Sequence, residues 1–139
     1  MKNFYCGTQY LDRETALITP GSITDPNSGE VSGLVEVDLE HKDIINTAFL
    51  KLSKVYTRII LDCTYIDYID SSCLWTFFEL NYEMEKKSGL LIFLNLQPEA
   101  ARTFRAVRYD ERMIIKNSYE DALEYLYQNQ EKKKQFAIA

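Results

Sequence analysis

Apolar residues change rhythm along the chain, and the changes mark its elements. From Asp43 to Val55, the apolar positions Ile44, Ile45, Ala48, Phe49 and Leu52 recur at helical spacing. Arg58 to Cys63 (RIILDC) is a short apolar run that predicts a buried strand. Tyr65 to Asp70 (YIDYID) reads as an acidic, aromatic linker. Ser71 to Lys87 then predicts a helix with Leu74, Phe77, Phe78 and Met84 on one side and Gly89 as its stop. Leu90 to Leu94 (LLIFL) is continuously apolar, as a central strand covered on both faces would be. Pro98 suits the first turn of a helix running to about Val107. Met113 to Ile115 predicts a short strand, and Ser118-x-x-Asp121 resembles a capping box before a last helix.

The first third is less regular. Thr15 to Thr19 (TALIT) reads as a strand into the Pro20-Gly21 turn. Residues 24–33 (TDPNSGEVSG) are turn formers and predict a loop or hairpin tip. Leu34 to Leu39 (LVEVDL) alternates and predicts a second, half-buried strand. After this hairpin, helices and strands alternate, which implies an α/β domain with a largely parallel sheet and right-handed crossovers. No internal repeat or linker divides residues 1–139, so one domain is expected, ending in a charged tail over 129–139.

Composition narrows the chemistry. The 139 residues suffice for one sizeable core. Lys and Arg number 16 against 21 Asp and Glu, a net charge of −5, which argues against a nucleic-acid partner. The Lys132–Lys134 run then reads as a solvated tail. A single histidine, His41, cannot build a multi-histidine metal site, and no metal is expected. Cys6, Cys63 and Cys73 form no CxxC pair and read as reduced thiols. No glycine-rich phosphate loop is present, so no cofactor is expected. Neither a signal peptide nor a membrane span is visible, which implies a cytoplasmic protein without membrane insertion. The ten tyrosines include Tyr65, Tyr68, Tyr82, Tyr119, Tyr125 and Tyr127, read mostly as half-buried packing.

The most informative stretch runs from Arg58 to Asn95. A strand ends in Leu61-Asp62, Asp70-Ser71-Ser72 opens a helix, Leu74 follows, and Gly89 precedes the next strand. Ser118-Tyr119-Glu120-Asp121-Ala122-Leu123 completes the order near the end. This pattern resembles the STAS family, whose best-known members are bacterial anti-sigma factor antagonists. The resemblance covers residues from about 43 to 127 well and the N-terminal third, 1–42, loosely. It implies the STAS fold: a mixed, largely parallel sheet of four to five strands with about four helices. It also implies a non-enzymatic transcriptional regulator that works by partner switching. The unphosphorylated form would bind an anti-sigma factor serine kinase, phosphorylation at Ser71 would release it, and a serine phosphatase would reset it. Tyr68, Asp70, Ser72, Cys73, Leu74 and Trp75 would form the docking surface. A second reading within the same family is a STAS subunit docking on an ABC ATPase of a lipid-transport system.

The family usually carries Gly-Leu-Gly after its serine pair, where this chain has Cys73-Leu74-Trp75. Trp75 is either an aromatic anchor for a partner or a core-filling side chain. Ser71 is either the phosphoacceptor or a plain helix cap, with Ser72 the alternative acceptor. Asp67 and Asp70 as an acid–base pair and Cys63 with Cys73 as a redox pair are weaker readings, and His41 reads as a solvated residue. A small α/β enzyme is the third class, and it requires a cavity with a base near Ser71.

Overall fold

The computed structural model describes residues 3–25 and 27–138, with side chains over 4–25 and 27–128. The side chains of the predicted charged tail, Lys132–Lys134 included, therefore lie outside the described residues.

Burial explains the strands. Ile59, Ile60, Leu61, Leu91, Ile92, Phe93 and Leu94 are all buried, so the two runs they occupy are covered on both faces. These are β4 (Arg58–Asp62) and β6 (Leu90–Leu94), paired in parallel at the centre of the main sheet. That sheet has five strands in the order β1-β2-β4-β6-β7, with β1 at Asn3–Tyr10, β2 at Thr15–Ile23 and β7 at Ile114–Lys116. Only the β1–β2 pair is antiparallel. A separate two-stranded parallel sheet joins β3 (Val35–Val37) to β5 (Ile66–Ile69).

Helices cover both faces unequally. Alternate strand residues Ala16, Ile18, Ile59, Leu61, Leu91 and Phe93 pack against three helices. These are α1 (Leu39–Ser53), α2 (Leu74–Lys86) and α3 (Pro98–Ala106). Their neighbours in sequence, Leu17, Ile60, Ile92 and Leu94, face α4 (Tyr119–Ile138) through Ala122 and Leu126. The larger core centres on Phe77, Phe93 and Phe104, all fully buried, with ring centroids 5.5 to 6.2 Å apart at the tilted and edge-on angles that aromatic rings favour.

The α/β class and the mixed, largely parallel sheet with four helices match expectation. Several details differ. Residues 3–10 form a full strand that their mixed polar and aromatic sequence did not announce. The N-terminal hairpin is β1–β2; β3 leaves it to pair with β5 instead. The segment read as a linker, Tyr65 to Asp70, contains β5. The first helix begins four residues early, at Leu39, because the Asp38 carboxylate accepts hydrogen bonds from the backbone N–H groups of Glu40 and His41. Helix α2 ends through Ser88 at φ 57°, while Gly89 donates its N–H to the Met84 carbonyl. Ser118 caps α4 as expected, accepting from the Asp121 N–H at 3.1 Å.

One glycine is required by crowding. A Cβ on Gly21 would run into Val31 and approach the Tyr65 Cβ to 3.0 Å and the Gly33 carbonyl to 3.1 Å. The loop before β3 and Tyr65, just ahead of β5, therefore close directly over β2. Phe104→Ala should lower stability by about 3–5 kcal/mol, because it opens a cavity among three packed rings. Gly21→Ala should cost roughly 1–3 kcal/mol by overpacking. Urea unfolding followed by circular dichroism measures both; a loss under about 1 kcal/mol for Phe104→Ala would contradict the packing described.

Candidate functional site

Strands β3 and β5 run side by side, and each leads straight into an aspartate that caps a helix. Val37 pairs with Ile69, and the Asp70 N–H donates to the Val37 carbonyl at 2.9 Å. Asp38 and Asp70 therefore leave the small sheet in adjacent positions. Asp38 starts α1; Asp70 starts a 3-10 turn, Ser71–Cys73, that continues into α2. Two helix N-termini, each a concentration of unpaired N–H groups and positive dipole, thus open beside one another.

The two serines differ sharply in environment. Ser72 is tied down: its N–H and its hydroxyl both donate to Asp70 Oδ1, at 3.0 and 2.9 Å. Ser71 is exposed, and its hydroxyl bonds no protein group among the described residues. Only its carbonyl is engaged, by the Leu74 N–H. Among the described residues, the hydroxyl of this pair left without a protein partner is that of Ser71.

Cys73 and Leu74 do not share the outer surface expected of them. Both side chains are buried in the main core. Cys73 has φ −98°, an angle open to any residue, so no glycine is needed there. Its side chain points inward, and burial raises the thiol pKa. Cys63 is fully buried too, and the two thiols serve as small apolar groups in the core.

Trp75 does not fill the core. It is 62% exposed and stacks on Phe78 with ring centroids 5.0 Å apart. Phe78 in turn meets Tyr109, and the Arg112 guanidinium lies 5.4 Å from the Phe78 ring centre. Tyr109 donates its hydroxyl to the Leu74 carbonyl at 3.1 Å, which locks this stack onto the first turn of α2. Exposed Tyr82 continues the row one heptad beyond Trp75. The roles of Phe78, Tyr82 and Arg112 were not visible in sequence, although the 75, 78, 82 spacing marks one side of a helix. Tyr68 and Asp67 face solvent from β5.

Among the described residues, no side chain hydrogen-bonds the Ser71 hydroxyl. A recess of about 360 Å³ beside β3 is lined by Leu34, Val35, Glu36, Asp38, His41 and Asp67, and Ser71 does not line it. His41 is held away, its Nδ1 bonding the Glu36 carbonyl at 2.5 Å and its ring stacking on Phe4. Among the described residues no group of three or more His, Cys, Asp or Glu side chains converges to hold a metal ion. None of the described helices is long and apolar enough to cross a membrane.

This arrangement has relatives. A model of the STAS domain family matches residues 11–122. The chain belongs to the STAS domain family. Its fold is that of the anti-sigma factor antagonist SpoIIAA in its unphosphorylated form, with a TM-score of 0.67 over 89% of this chain and 97% of that one, at 19% identity. The phosphorylated form of the Bacillus cell fate determinant SpoIIAA gives a TM-score of 0.61 over 88% and 99%, also at 19% identity. An anti-sigma factor antagonist from Mycobacterium paratuberculosis gives 0.70 over 88% and 93%, at 12% identity. No curated protein sequence matches the chain.

The two caps of this STAS domain should be visible in its acid stability. Hydrogen bonds from backbone N–H groups, His41's for Asp38 and Ser72's for Asp70, hold both carboxyls below the ordinary carboxylate range. A carboxyl lowered in the folded state stabilises above its unfolded pKa, and that contribution disappears as pH falls through the folded value. Thermal stability should therefore fall below roughly pH 4. Replacing both by Asn, which caps without titrating, should flatten that acid limb; an unchanged limb in the double variant would show that the caps do not set it.

Proposed function

We propose that this STAS domain is a non-enzymatic anti-sigma factor antagonist, switched by phosphorylation of Ser71. The observation that carries this reading is the contrast between the two serines: an exposed, unengaged Ser71 hydroxyl at a capped helix start, beside a Ser72 hydroxyl bound to Asp70. The unphosphorylated protein binds an anti-sigma factor that is also a serine kinase. That partner covers Ser71, Tyr68 and the exposed Trp75–Phe78 stack, while Asp70 and Ser72 shape the turn beneath. Phosphorylation releases the partner, and a serine phosphatase restores the binding form.

The physics separates the fold from the surface. A phosphate on Ser71 adds about −1.5 to −2 charges and sits where two helix N-termini favour an anion. The fold therefore accepts it. A partner packed over Ser71 meets new charge inside a desolvated contact, next to Asp70 and Asp67, and leaves.

Incubation with a serine-kinase anti-sigma factor of the source organism and Mg-ATP, followed by peptide mass mapping, tests the proposal. Phosphate should appear on Ser71 and be lost in Ser71→Ala, with thermal stability nearly unchanged because Asp70 still caps. Trp75→Ala should weaken binding to that kinase by about 2 kcal/mol, roughly thirtyfold. Phosphate on neither serine together with no kinase binding overturns the reading; capture of an ABC ATPase in its place favours the transport subunit instead.

A further inference from the structure

The two edges of the main sheet are treated very differently. β7 is three residues long and ends in Lys116, a short and charged edge of the kind that resists further pairing. β1, the other edge, is eight residues long, NFYCGTQY, with no charge and no proline. Its register against β2 is unbroken over all eight positions, so no bulge twists it away. Within Asn3–Tyr10, then, no charge, proline or bulge protects this edge.

Beside this edge lies an apolar groove of about 570 Å³, between β1 and α1. β1 and α1 run in the same direction. At one end the Phe4 ring stacks on His41 at 4.2 Å; at the other Tyr10 stacks on Tyr56 at 5.5 Å. Ile44 and Ala48 line the groove between them, and Tyr5, Tyr10 and Ile44 are exposed. On the outer row of α1, Asp43, Thr47 and Lys51 follow at intervals of four residues along the groove. Asp43 and Lys51 are both exposed, and neither has a side-chain partner among the described residues.

We infer that the β1 edge and the groove beside it are the interface for a second copy of this chain. Two β1 strands pair antiparallel about a two-fold axis perpendicular to the sheet, joining the two five-stranded sheets into one. The charges name the occupant. Such an axis reverses α1, so Asp43 of each copy comes opposite Lys51 of the other, with Thr47 near the axis. An uncharged strand and a row that is negative at one end and positive at the other are self-complementary only in this antiparallel sense. The even residues Phe4, Thr8 and Tyr10 lie on the groove side, so half-buried Phe4 and exposed Tyr10 line the same seam. The Asn3 end of β1 pairs with the Ile23 end of β2, the end that holds Ser71, so the two Ser71 sites lie at opposite ends of the dimer and stay open.

Sedimentation equilibrium of the full chain, up to hundreds of micromolar, tests this, with circular dichroism confirming that each variant is folded. The chain should dimerise reversibly. Thr8→Lys, which sets a charge on the edge, should abolish the dimer. Asp43→Lys and Lys51→Asp should each weaken it roughly tenfold, by turning attractive pairs into repulsive ones. The double swap Asp43→Lys/Lys51→Asp should restore it to within about threefold of the original, since the cross-pairs re-form with signs exchanged. A chain that stays monomeric overturns the inference. So does a dimer indifferent to Thr8→Lys, and a dimer weakened by single swaps but not rescued by the double swap.

Discussion

The hydrogen bond from the Asp70 N–H to the Val37 carbonyl, 2.9 Å long, is the constraint on which the functional end of the molecule turns. It is the last link of a parallel pair only three to four residues long. Yet it decides that two capping aspartates emerge in step, and hence that α1 and α2 start side by side and point the same way. Cys73 is then driven into the core between them, and Ser71 is left outside by the geometry of a helix start. Ser72 faces back to its own cap. The exposure of one serine and the engagement of the next are consequences of register, not separate features.

Much of this was legible in the residues. The buried runs Arg58–Asp62 and Leu90–Leu94 announce themselves by unbroken apolar character, and Asp70-Ser71-Ser72 by cap chemistry before an apolar rhythm. What escaped is non-local. β5 has the burial pattern buried, exposed, exposed, buried, which is neither alternation nor a continuous run, and its partner residues in β3 lie 31 or 32 positions upstream. β1 shows only part-burial, because an edge strand is covered by neighbours on fewer sides. Trp75 was ambiguous for a related reason. α2 carries more apolar residues than its sheet-facing side needs, and periodicity alone does not say which of them is surplus. The structure answers through Tyr109, whose hydroxyl and ring hold the Phe78–Trp75 stack outside the core.

The departure from the family pattern at Cys73-Leu74-Trp75 then divides into two unequal parts. Cys73 replaces glycine at a backbone angle that any residue adopts, and its side chain vanishes into the interior. It leaves the outer surface as it would be without a side chain. Trp75 does the opposite: it adds a large, rigid, aromatic surface one turn from Ser71 and leaves the interior alone. On the proposed reading, the change that bears on recognition is therefore a single residue wide.

On the proposed reading, magnitudes account for a phosphate at Ser71 that acts on binding and spares the fold. An anion near a helix N-terminus at the surface gains about 0.3–1 kcal/mol, and repulsion from nearby exposed carboxylates is of similar size and screened by salt. These nearly cancel, so the folded state hardly responds. The same phosphate beneath a bound protein loses its water, and an uncompensated charge in that setting costs several kcal/mol. A shift of about 4 kcal/mol is a thousandfold change in affinity. The asymmetry between an open and a covered Ser71 is thus enough for a switch, with no conformational change demanded of the chain.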